Sequence, residues 1–122
     1  MSGANQRWLT YLPAALVATG IAVLSLSEQA PDYLPPSASD KLLHAIAYCI
    51  QAFALVFALE FRRASRVLHY VYAFLSTIAY GALIELLQYV CTATRTAEWG
   101  DFCADVMGAL VGVLLGLVFY RK

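Results

Sequence analysis

The chain has 122 residues, of which 61% are hydrophobic and 13% charged, with a formal net charge of zero and a mean hydropathy of +0.68. That balance excludes an ordinary soluble domain and predicts an integral membrane protein. A hydrocarbon layer about 30 Å thick takes roughly 20 apolar residues per helical crossing, and four such runs account for most of the chain.

The first run, residues 8–27, holds no charge and begins with Trp8 and Tyr11, whose rings favour the headgroup region. It follows Arg7 as a signal peptide would, but it is long for the apolar core of one and no Ala-x-Ala cleavage site precedes Pro31, so it reads as an uncleaved span. EQAPDYLPPSAS, residues 28–39, carries three prolines and leads into a Ser37-x-x-Asp40 helix start. It is expected to be an ordered loop launching the second span, 42–61. FRRASR, 61–66, reads as a tight basic hairpin, followed by a third span over 67–90. CTATRTAEWG, 91–100, suits a polar turn at the interface, and the fourth span covers 102–120. The expected fold is all-α, a single four-transmembrane-helix bundle.

Positive charge sets the expected orientation. Four crossings put both termini and the 61–66 hairpin on one side, which then holds Arg7, Arg62, Arg63, Arg66, Arg121 and Lys122, six of the eight Lys and Arg. Only Lys41 and Arg95 fall on the other side. Positive flanks stay cytoplasmic, so both termini are expected inside and the 28–39 and 91–100 loops outside.

Within this apolar chain the polar residues are patterned. Glu85 and Gln88 share a face of span three with Gly81 and Thr77. Span two presents Asp40, His44, Ala47, Gln51, Ala54 and Ala58 as one stripe, with Tyr48 at its margin, and span four presents Asp101, Asp105, Gly108, Gly112 and Gly116. Small residues four apart let membrane helices approach closely, so the three stripes are expected to face one another. An ionised side chain at mid-bilayer costs on the order of 3 kcal/mol, so Glu85 is expected to turn inward toward Lys41, His44 or Arg95. One outward-opening polar cluster results: Asp40, Lys41, His44, Tyr48, Glu85, Gln88, Arg95, Glu98, Asp101 and Asp105.

Three segments carry a resemblance. SDKLLHAIAY (39–48), IELLQ (84–88) and RTAEWGDFCADVMGALVG (95–112), in this order and at matching ends of apolar helices, are similar to the VanZ-like family of small bacterial membrane proteins. The shared pattern is Asp-Lys-x-x-His-x-x-x-Tyr, Glu-x-x-Gln, then an Arg followed by acids and glycines. It covers about residues 39 to 116 and leaves the first span outside. Asp105 departs from it, since relatives often have Asn there; Asp keeps an acceptor and adds charge. The resemblance implies Asp40, Lys41, His44, Tyr48, Glu85, Gln88, Arg95 and Asp101 as the characteristic positions, residence in the bacterial cytoplasmic membrane, and a link to glycopeptide (teicoplanin) resistance. Some relatives carry an acyl-phosphate enzyme label, which this chain does not suit, for it has no Gly-rich phosphate motif.

Each residue has a plain reading beside a chemical one. Asp40 and Lys41 mark a helix start, where Asp faces the positive dipole end and Lys snorkels. His44 donates a hydrogen bond to Asp40 or Glu85, or acts as acid or base. Glu85 is hydrogen-bonded glue or a ligand and proton group; Gln88 satisfies it. Arg95 meets headgroup phosphate, clamps carboxylates, or grips an anionic substrate. His44, Glu85 and Asp101 are the catalytic candidates. No cofactor, metal or nucleic acid is expected, because one histidine with scattered carboxylates shows no ligand-spacing motif. His69 reads as interfacial. Cys91 and Cys103 fall near the same side, but Cys49, Cys91 and Cys103 read as buried thiols rather than a disulfide.

Two function classes remain open. One is a protein that binds or modifies a membrane lipid or lipid-linked envelope intermediate at the outer face. The other is a noncatalytic structural or interaction protein whose polar cluster only locks the helices. Proton-linked transport is disfavoured, because four spans leave little room without a homo-oligomer and the inner half is read as lacking ionisable residues.

Overall fold

Pro13 shapes the first crossing. It has no N–H for the carbonyl of Leu9, and its ring crowds that carbonyl. In the computed structural model, which describes residues 3–26, 38–61, 65–91 and 99–120, the crossing is therefore built from α1, Gly3–Leu9, and α2, Leu12–Ser25, with a turn between them. The Thr10 hydroxyl donates to the Arg7 carbonyl at 2.7 Å, and the Tyr11 N–H to Trp8 at 3.1 Å. The span expected over 8–27 thus contains a tightened joint at residues 10–11, and Gln6–Ser25 gives 20 residues apolar enough to cross a membrane.

The other crossings match the hydropathy reading to within a few residues. They are α3, Ala38–Leu59, α4, Arg66–Cys91, and α5, Trp99–Phe119. At 1.5 Å per residue these span about 32 to 39 Å, enough for the hydrocarbon layer. Among the described residues there is no strand. Large apolar side chains face outward along every crossing, Leu16, Leu24, Ile46, Ile50, Leu75, Leu86, Leu114 and Val118 among them, a surface that water would not tolerate and acyl chains do. Exposed aromatics mark both ends: Trp8, Phe61 and Phe119 at one, Tyr89 and Trp99 at the other.

Packing follows the small residues. A Cβ on Gly108 would run into the backbone of Ala45, one on Gly112 into that of Cys49, and one on Gly116 into the Val56 side chain. The partners ascend in the same order on both helices, so α3 and α5 run parallel and lie backbone to backbone. This is the closest pairing of the bundle; α4 packs against both, and α2 lies mainly on α3. The stripes of α4 (Thr77, Gly81, Glu85 and Gln88) and α5 (Asp101, Asp105, Gly108, Gly112 and Gly116) are buried as predicted, and Ala73 and Ile84 of α4 are buried beside them.

On α3 the buried set is wider than its stripe. It includes Tyr48, Ala52, Val56 and Leu59 beside His44, Gln51, Ala54 and Ala58, while Ala47 is only half-buried. Tyr48 is 1% exposed: it belongs to the core and not to its margin, because α3 is covered from two sides. The thiol expectation is also corrected. Cys91 and Cys103 are exposed, Cys49 is half-buried, and all three are free. Cys91 and Cys103 lie off the small-residue faces, where an apolar thiol meets lipid at little cost, while Cys49 sits on the α3–α5 seam.

Gly20 has no such packing duty, as a Cβ there meets nothing within 4 Å. Glycine inside a helix costs roughly 0.5–1 kcal/mol relative to alanine. Gly20→Ala is accordingly expected to leave the unfolding midpoint in detergent unchanged or raise it, and a loss would show that α2 packs there against something else.

Candidate functional site

The polar cluster forms where α3 and α5 begin and α4 ends. His44 lies nearly two turns into α3 and Asp105 nearly two turns into α5, and the parallel pairing brings them level. His44 Nδ1 and Asp105 Oδ1 are 2.9 Å apart in a buried hydrogen bond. Among the described residues this bond goes to Asp105, the family departure, which is 0% exposed; of the acceptors expected for His44, the Asp40 side chain lies outside the described residues and Glu85 stands beside the pair. An aspartate tolerates such burial only when its charge is balanced or bonded.

Glu85 enters from α4. Ligand atoms of His44, Glu85 and Asp105 all lie within 4.8 Å of one another, so three helices deliver one ionisable side chain each to a single point. Gly81, one turn below Glu85, makes room: a Cβ there would stand 3.0 Å from Asp105 Oδ2 and 3.2 Å from Tyr48 Cε1. Tyr48 stacks on His44, with ring centroids 6.3 Å apart and planes 8° from parallel. Its hydroxyl is buried with no hydrogen-bond partner among the described residues.

The rim is half-open. Lys41 Nζ stands 3.8 Å from Asp101 Oδ1, with Lys41 40% exposed and Asp101 8%. The lysine stem lies over Gly100, where a Cβ would come within 2.5 Å of Lys41 Cε, which is the snorkelling geometry the sequence suggests. Gln88 has a partner beyond the one expected: its Nε2 donates to the Ser25 carbonyl at 2.8 Å, so it fastens the end of α2. Arg95, Glu98 and the side chain of Asp40 lie outside the described residues. Lys41, His44, Tyr48, Glu85, Gln88, Asp101 and Asp105 are thus gathered at one end of the bundle.

Below the rim, a groove of about 260 Å³ runs along the α3–α5 seam. Its walls are Ala45, Ile46, Cys49, Ile50, Met107, Gly108 and Val111. It is wholly apolar and opens toward lipid.

Other buried polar residues lie away from the cluster, two of them on the stripes. Gln51 Oε1 and Thr77 Oγ1 are buried below the cluster without hydrogen-bond partners among the described residues. At the opposite end, His69 is buried rather than interfacial. Beside that end, Glu60 accepts from the Tyr70 hydroxyl at 3.4 Å and faces Arg66 at 4.0 Å. The far half of the bundle therefore does hold ionisable groups, which corrects the ground on which transport was disfavoured. The signal was present: Glu60 closes an apolar run, and His69 stands at i−4 and i−8 from Ala73 and Thr77.

Comparison with family models matches residues 5–120 to the family described as VanZ/LLP1. No curated protein and no solved structure matches.

Proposed function

The chain belongs to the VanZ/LLP1 family, and from that premise we propose that it is a multi-pass protein of the bacterial cytoplasmic membrane that binds or modifies a lipid-linked or lipid-like envelope component, with a role in glycopeptide (teicoplanin) resistance. In this reading both termini are cytoplasmic and the cluster faces outward. The observation that carries it is the apolar groove directly beneath a polar, charged rim on one seam of the bundle. An amphiphile has that same division: a headgroup for Lys41, Asp101 and the cluster behind them, and a chain for the groove between Ala45 and Val111. The lysine, with Arg95 of the 91–100 segment, favours an anionic headgroup. His44, Glu85 and Asp101 are the groups that would orient it or exchange protons with it.

Lipid analysis of protein extracted into native nanodiscs tests this. One class of anionic or lipid-linked molecule is expected to be enriched over the bulk membrane. Glu85→Gln should lose that enrichment while insertion and abundance stay near wild type. Lipid indistinguishable from the bulk membrane would defeat the reading. A second reading, a noncatalytic structural or interaction protein, is favoured by one observation, the Gln88 bond that uses a cluster side chain to tie α2 to α4. Loss of protein level in Glu85→Gln, with no lipid change, would support that one.

A further inference from the structure

We propose that His44, Glu85 and Asp105 form a binding site for one divalent first-row cation of the Zn²⁺ or Mn²⁺ class. This goes beyond the amphiphile reading and does not depend on it. The three side chains are buried, come from α3, α4 and α5, and each offers a ligand atom within 4.8 Å of the other two. An ion held at about 2.0–2.2 Å from its donors keeps them no more than roughly 4.4 Å apart. Closing the triad on an ion therefore needs side-chain shifts of less than about 1 Å. The His44–Asp105 pair, at 2.9 Å, already has the spacing of neighbouring ligands. The ligands sit on three separate helices, so no short spacing motif can announce them.

Two further observations point to a built site. The Tyr48 hydroxyl is fully buried and without a hydrogen-bond partner among the described residues. Its ring lies on His44 and, with Asp105 Oδ2, borders the space over Gly81, which leaves a buried donor on the ring that flanks the three ligands. Gly81 leaves space for Asp105 Oδ2 and Tyr48 where any other residue would intrude.

The donor set selects the ion. One imidazole nitrogen with two carboxylate oxygens suits borderline cations; Ca²⁺ and Mg²⁺ favour all-oxygen shells, and the soft Cu(I) favours sulfur. A dication between the two carboxylates would gain from both of their charges in a low-dielectric interior.

Full-length protein in detergent, stripped with chelator and then dialysed against Zn²⁺ or Mn²⁺, is expected to retain one ion per chain by elemental analysis. Glu85→Gln and Asp105→Asn should each weaken retention by about 10-fold or more at unchanged helix content. A variant with all three cysteines changed to serine should bind as wild type does. Retention by wild type no greater than by the Glu85→Gln/Asp105→Asn double variant would overturn the proposal. Should the double variant not fold, pulsed electron paramagnetic resonance on the Mn²⁺-loaded His69→Leu protein decides. Modulation from one directly bound imidazole nitrogen is expected, and its absence rejects the site.

Discussion

Asp105→Ala is expected to lower the unfolding free energy by about 3–5 kcal/mol, the cost of removing one partner from a buried pair. Asp105 is fully buried and accepts the His44 hydrogen bond. Alanine would take away that acceptor and leave a cavity between α3, α4 and α5, with the imidazole still held out of water. Asp105→Asn keeps an acceptor of the same size in the same place, and its loss should stay near 1 kcal/mol, the usual net worth of a hydrogen bond. Circular dichroism during titration of mixed micelles with a denaturing detergent would read both. Equal losses for the two variants would show that the pairing with His44 is not what stabilises this end of the bundle.

The second large effect belongs to Gly108. Its added Cβ would meet the backbone of Ala45, which cannot move without moving α3. Gly108→Ala is therefore expected to cost about 1–3 kcal/mol, the range for overpacking a well-filled interior, with Gly108→Val costing more. At Gly116 the obstacle is the Val56 side chain, which has other rotamers, so Gly116→Ala should be milder. The order of loss should be Gly108, then Gly116, then Gly20 with none, measured by the same titration. Equal tolerance at Gly108 and Gly20 would mean that α3 and α5 are not in backbone contact.

Hydropathy and the spacing of small residues made the bundle legible before any coordinates, because the bilayer imposes a minimum length on each crossing and lipid gives helices no reason to pack except close fit. Helix ends were less legible. Pro13 stands inside an unbroken apolar run, and hydropathy does not register the joint it imposes. The site was legible as a set of residues and not as a set of bonds. Glu85 announced itself by standing inside a span, whereas the place of Asp105 depends on the parallel register of α3 and α5, which no single segment encodes. Tyr48 was put at a margin because a one-stripe helix has one buried face, and α3 has neighbours on two. Gln88 was assigned to Glu85 by its spacing alone; the reach across to Ser25 is a tertiary fact.

The hold on α2 has a wider consequence. The Tyr80 hydroxyl bonds to the carbonyl of Ala18, and Gln88 to that of Ser25, while only Ala14 and Ile21 of this helix are buried. Its neighbours thus grip peptide groups, which every residue type possesses, more than they grip side chains. Such a segment can drift in composition as long as it stays greasy and helical. Substitutions at its lipid-facing positions should therefore leave both anchoring bonds in place, and the family match, which runs from residue 5, takes in this helix as well.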